Sequence, residues 1–177
     1  ESHSALETRS SLDREIVIRE FAEPLLISSG AMFRMNNYSS TTFSSASECS
    51  LPEFANLLRH RGDFYFVDIR GRSNAAAWPL APGIAGNNIP TSEVLAQSGK
   101  STPVEAILAA KDMAPIAEIP RNGPVVVSCA QGNSSVPFTE GLRKIGIDAH
   151  SLRGGAAAWG SYYETTPIVV EPNLIIL

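Results

Sequence analysis

The chain has 177 residues, 44% of them hydrophobic and 18% charged, enough for one packed domain with an extension. A net charge of −4 with no basic block argues against nucleic acid as a bulk electrostatic partner, and no apolar run approaches the ~20 residues of a membrane span. Two cysteines, Cys49 and Cys129, supply neither a disulfide framework nor metal-site spacing, so no metal or cofactor is expected.

Residues 1–47 read as an extension. Leu25-Leu26-Ile27 and Met32-Phe33 are apolar enough to dock on a neighbour, and residues 36–48, rich in Ser, Thr and Asn, read as a linker or surface loop. This places Cys49 at the end of a polar linker. Residues 48–177 then form the main domain. Ser50 with Glu53 three positions on is a capping box, and Phe54, Leu57 and Leu58 give the helix behind it an apolar face. Phe64 to Ile69 is a strand, with Asp68 and Arg70 at its carboxyl end. Asp68 reads as a loop brace; Arg70 suits either an anionic ligand or a structural pair.

Ser73 to Trp78 forms a short helix stopped by Pro79, and Asn88-Ile89-Pro90 reads as the next strand. Val104 to Met113 is a helix with Pro103 near its start. The stretch from Pro124 to Ser135 is the most informative. An apolar run, Val125-Val126-Val127, leads to Ser128 and Cys129, and the polar loop Ala130-Gln131-Gly132-Asn133-Ser134-Ser135 opens a helix with apolar Val136, Phe138, Leu142 and Ile145. The run suits a strand buried on both faces. Cys129 therefore stands at its carboxyl end, where open α/β sheets bind ligands. Gly132 permits a turn that a side chain would obstruct. Amide groups curled over one point, with a helix start behind them, favour an anion and push a thiol toward its nucleophilic thiolate. The competing reading is a small buried hydrophobe, against which the polar Gly-Asn-Ser-Ser sequel speaks.

Gly146 suits the residue after a helix end, Asp148 to Leu152 a short strand, Arg153-Gly154-Gly155 a turn at the same sheet edge and Trp159 a core anchor. The tail, Pro167 to Val170 and Leu174 to Leu177, is apolar enough for docked extended pieces. His3, His60 and His150 are scattered and read as surface groups. Strands alternate with helices, so a central parallel sheet with right-handed crossovers is the economical topology.

Three segments together resemble the rhodanese (sulfurtransferase) family: Phe64 to Arg70 with its Asp-x-Arg ending, Val125 to Ser135 with Cys-x-x-Gly-x-Ser, and Gly141 to Trp159 with its Gly-Gly-x-x-x-Trp close. The resemblance covers about residues 48 to 162. One departure is the loop Pro82 to Gly86, which lacks the histidine of the family's His-Ile-Pro-Gly-Ala. The resemblance implies an α/β/α sandwich of the single-domain type. It also implies a Cys129 that takes sulfane sulfur from thiosulfate or a persulfide and passes it to a thiol or cyanide. Residues 130–135 and Arg70 would then bind substrate. A sulfur carrier or partner-docking module without enzymatic activity is the alternative. A cysteine phosphatase is disfavoured, because the sixth position after Cys129 is Ser135, not the arginine that clamps phosphate. A working thiol is easier to keep reduced in cytosol. The chain starts at Glu1, which reads as a processed or trimmed product and leaves a periplasmic address open. Oligomeric state is left open as well.

Overall fold

The computed structural model describes residues 43–60 and 62–165. The apolar stretches expected before residue 36, His3 and the tail expected from Pro167 onward lie outside these described residues. The described elements are β1 (Glu48–Cys49), α1 (Leu51–Arg59), β2 (Tyr65–Asp68), α2 (Arg72–Ala77), β3 (Gly86–Asn88), α3 (Thr91–Ser98), α4 (Pro103–Ala110), β4 (Val125–Ser128), α5 (Ser135–Lys144), β5 (Ala149–Leu152) and α6 (Gly155–Thr165), with a 3-10 turn at Ile116–Glu118.

All strand pairs are parallel, in the order β1-β5-β4-β2-β3. Because β4 is the middle strand and buried on both faces, it reads as a continuous Val-Val-Val run rather than an alternating one. Its side chains still alternate in direction. Val125 and Val127, with Val67 of β2, join the core formed with Val94 of α3, Ala106, Ile107 and Ala110 of α4, and Phe138 and Leu142 of α5. Val126 and Phe66 point the other way, into a core with Phe54, Leu57 and Leu58 of α1 and Ala156 and Trp159 of α6. Two helical layers on one sheet make the α/β/α sandwich expected from the sequence. Trp159 meets Phe54 edge-on at 4.7 Å between ring centroids, and Phe54 stacks on Phe66 at 5.6 Å, geometries that aromatic quadrupoles favour.

The chain runs outward from β2 to β3 toward one sheet edge and from β4 to β5 toward the other. The adjacent carboxyl ends of β2 and β4 are therefore the switch point of the sheet, where such folds leave a crevice. Helix α5 closes on Gly146, whose φ of +85° allows the paired terminal bonds Ile147 N–H to Leu142 O and Gly146 N–H to Arg143 O.

Three expectations need correction, and one helix is new. Glu48–Cys49 is not linker but an edge strand paired with Ser151 and Leu152, and Cys49 is fully buried. Two residues are too few to show periodicity, so neighbouring polar residues masked the strand. His150 is not a surface group: it is buried in β5, stacked on Phe43 at 3.7 Å and 3.0 Å from Asp148, because both faces of an internal strand are covered. The third strand is Gly86–Asn88 rather than Asn88 to Pro90; a Cβ at Gly86 would lie 2.3 Å from Phe66 O, so close pairing decides its place. Helix α3 was not foreseen; it buries only Val94, too few apolar positions for a periodic signal.

The capping box at α1 is formed. Ser50 Oγ accepts from Glu53 N–H, and Glu53 Oε2 accepts from Ser50 N–H at 2.7 Å. Burial pushes the Glu53 carboxyl up, and bonds from Ser50 and Ser44 more than reverse this, to about 2 against an ordinary 4.5. Its folded value lies below its unfolded one, so its contribution is present above pH 4.5 and is lost as pH falls toward about 2. Replacing Ser50 with Ala should cost about 1 kcal/mol of unfolding free energy at pH 7, measured in urea. The gap to wild type should narrow below pH 4 or so; an equal gap at low pH would contradict the role given to Glu53.

Candidate active site

Cys129 follows the last residue of β4 and is 5% exposed. The loop behind it folds the chain back over its own sulfur. Gly132 takes φ +86°, a left-handed conformation that side chains resist, and this turn aims its N–H at Cys129 Sγ over 3.0 Å. The Ser135 hydroxyl lies 3.4 Å from the same sulfur, at the first turn of α5. Burial raises the Cys129 thiol. Bonds from the Ser135 side chain and from the amides of Ser135, Gln131 and Gly132 outweigh it, and the net direction is downward. The positive end of the α5 dipole favours the same ionised form.

The second glycine-rich turn holds this loop from outside. Gly154 and Gly155 both have positive φ, at 69° and 59°. A Cβ on Gly155 would lie 2.4 Å from Cys129 O and 2.7 Å from Gly132 N, and a Cβ on Gly132 would lie 2.8 Å from Gly154 N. The two backbones are in direct contact, so a side chain at Gly132 would strike the 153–155 turn rather than the space above the sulfur. Ala156 N–H donates to Cys129 O at 2.8 Å, and Ala157 N–H to Ala130 O at 2.9 Å. The start of α6 thus fixes two successive carbonyls just before the Gly132 turn.

The remaining loop residues divide clearly. Ala130, Gln131, Asn133 and Ser134 are exposed on the lip, whereas Ser135 is buried. Ser134 is the first residue before α5 but makes no side-chain cap; the Ser135 hydroxyl instead bonds Gly132 O at 3.2 Å and Ser151 Oγ at 2.7 Å. Ser151 was not singled out in the sequence. Its signal was a small polar residue within the otherwise buried strand Ala149–Leu152.

Arg70 is drawn inward. Its guanidinium grips Asp68 with Nε at 3.0 Å from Oδ1 and Nη2 at 2.6 Å from Oδ2, and Nη2 also donates to Trp78 O at 2.7 Å. Both side chains are buried. The pair ties the end of β2 to the residue that ends α2, which is the bracing alternative for Arg70. Asn88 of β3 adds a second tie, donating from Nδ2 to Asp68 O and Arg70 O.

Two further arginines follow the strands on either side of β4. Arg72, after β2, pairs with Glu93 of α3; Arg153, after β5, pairs with Glu48 of β1 at 2.8 Å. Both pairs are exposed. Cys49 is fully buried, and burial first, and the charge of Glu53 second, drive its thiol far upward. Among the described residues no group of three or more His, Cys, Asp or Glu could hold a metal.

No protein-family model matches the chain, and no curated protein matches it. Solved structures do resemble it. A rhodanese-like domain protein from Staphylococcus aureus is 23% identical, covering 64% of this chain and 91% of its own, with a TM-score of 0.48. A rhodanese-related protein from Thermoplasma volcanium is 20% identical over 71% of this chain and 99% of its own, TM-score 0.48. A single-domain sulfurtransferase from Saccharomyces cerevisiae is 18% identical over 74% of this chain and 99% of its own, TM-score 0.49.

If Arg70 braces the fold, Arg70→Ala strands a buried carboxylate and should cost about 3 kcal/mol, read from urea unfolding. Unchanged stability with weakened binding of a sulfur-donor anion would return Arg70 to the binding site.

Proposed function

We propose that the protein is a sulfurtransferase in which Cys129 carries the sulfur as a persulfide. The observation that carries this reading is the Gly132 N–H aimed at Cys129 Sγ over 3.0 Å, within a loop that contains no charged side chain. Such a cradle favours a sulfur anion through amides and a hydroxyl alone. A phosphate-transferring cysteine loop would need a bidentate cation, and the sixth position here is the buried Ser135. The three sequence segments that resemble the rhodanese family support the same chemistry.

In the first step the Cys129 thiolate attacks the outer sulfur of a donor. The new S–S bond forms as the donor's own S–S bond breaks, and its electron pair leaves with the inner group: sulfite from thiosulfate, a thiolate from a persulfide. In the second step a thiolate or cyanide attacks the outer sulfur of Cys129 persulfide. It leaves as a new persulfide or as thiocyanate, and the Cys129 thiolate is restored. The amides of residues 130–135 hold the charged outer sulfur in between, a task suited to preorganised dipoles in a nearly dry site. A non-enzymatic sulfur carrier or partner-docking module is the competing account and would show no multiple turnover with small acceptors.

The rim bears on the donor. Arg72 and Arg153 are each neutralised by a carboxylate, Glu93 and Glu48, and Arg70 is committed to Asp68. A dianion such as thiosulfate gains little from such a rim, whereas a persulfide with one charge or none loses little. A low-molecular-weight or protein persulfide is therefore the preferred donor in this proposal.

Two measurements follow. Cys129→Ser should bring thiocyanate formation from either donor and cyanide down to the uncatalysed rate, whereas full turnover in that variant would end the proposal. Combining Glu48→Gln with Glu93→Gln should raise kcat/KM for thiosulfate by about threefold at low ionic strength, and the gain should shrink with added salt. Turnover of an alkyl persulfide, which carries at most one charge, should change much less. An equal gain for both donors would contradict the electrostatic account of the rim.

A further inference from the structure

We propose that Ser151 is a positioning residue for the thiolate, donating its proton to Ser135 Oγ so that the Ser135 proton is available to Cys129 Sγ. The argument is a count of protons and acceptors. Ser151 lies in β5 opposite Val127 of β4 and is buried, so its hydroxyl needs a partner to offset its desolvation. Among the described residues that partner is Ser135 Oγ, at 2.7 Å.

The Ser135 hydroxyl faces three groups: Ser151 Oγ at 2.7 Å, Gly132 O at 3.2 Å and Cys129 Sγ at 3.4 Å. It has one proton and two lone pairs. Were Ser135 to donate to Ser151, the Ser151 proton would have no acceptor among the described residues, Gly132 O would lose the Ser135 proton, and an ionised sulfur would keep its amide donors but lose the hydroxyl. With Ser151 as donor, every group is matched in the thiol form, and only Gly132 O gives up its partner in the thiolate form. In the thiol form, Ser135 accepts from Ser151 and from the Cys129 S–H, and donates to Gly132 O. In the thiolate form, it still accepts from Ser151, and its own proton turns from Gly132 O to the sulfur. Ionisation of Cys129 then requires only the rotation of one hydroxyl, held in place by a second on the neighbouring strand.

The inference rests on Cys129 working as a thiolate, the same premise as the proposed reaction, but its test does not use sulfur transfer. The rate of Cys129 alkylation by iodoacetamide is followed against pH. Ser151→Ala should move the midpoint upward and slow alkylation at pH 7 by about threefold, with the high-pH plateau unchanged. A disturbed loop would instead change the plateau. Ser151→Thr, which keeps the hydroxyl, should retain the wild-type midpoint. In a Ser135→Ala background, Ser151→Ala should add no further shift, as expected for groups acting through one another. A wild-type midpoint in folded Ser151→Ala overturns the inference, as does a full shift in Ser151→Thr or an additive shift in the double variant. If these shifts appear while no donor loads sulfur, the reaction falls and the role of Ser151 stands.

Discussion

The amide of Gly132 pointing at Cys129 Sγ is the contact on which the rest of the site depends. Burial alone pushes a thiol away from its nucleophilic form, and at Cys49 of the same chain nothing offsets that push. Both cysteines are buried in or beside strands, yet burial governs one and hydrogen bonds the other. The difference is what lies next in sequence. Cys49 is followed directly by a capped helix whose nearest carboxylate, Glu53, repels a second negative charge. Cys129 is followed by five residues before the next helix begins, and the amides of Gln131, Gly132 and Ser135 face its sulfur.

That turn cannot be held by its own residues. Gly132 takes its left-handed conformation against the backbone of Gly154, and Gly155 fits against Cys129 O with no space for a side chain. The sheet order explains why these turns meet: β5 lies beside β4, so the chain leaving each strand emerges at the same edge. The Asp68–Arg70 pair braces the end of β2, the strand on the other side of β4, against Trp78 O. The cysteine loop is thus held from outside by the turn that follows β5 and by the start of α6.

Much of this was legible in the residues, for physical reasons. The Val-Val-Val run, the capping box of Ser50 and Glu53, the glycine after α5 and the cysteine-led loop are local signals, each with its mechanism within a few residues. What was not legible depended on partners distant in sequence. Glu48–Cys49 is a strand only because β5 lies alongside it. His150 is buried only because Phe43 and the neighbouring strands cover it. The commitment of Arg70 to Asp68 and Trp78 O, and the contact of Ser151 with Ser135, arise from packing rather than spacing. Asp68 and Arg70 alternate along the chain in a way that serves a salt bridge and an anion site equally well.

The central claim is that this cradle makes Cys129 the acceptor of a transferable sulfur. Its most direct measurement is peptide-resolved mass spectrometry of the whole protein after brief exposure to thiosulfate or an alkyl persulfide. The account predicts one added sulfur on the peptide containing Cys129, removed by cyanide, with Cys49 unmodified. An unmodified Cys129, or sulfur carried on Cys49 instead, would contradict it.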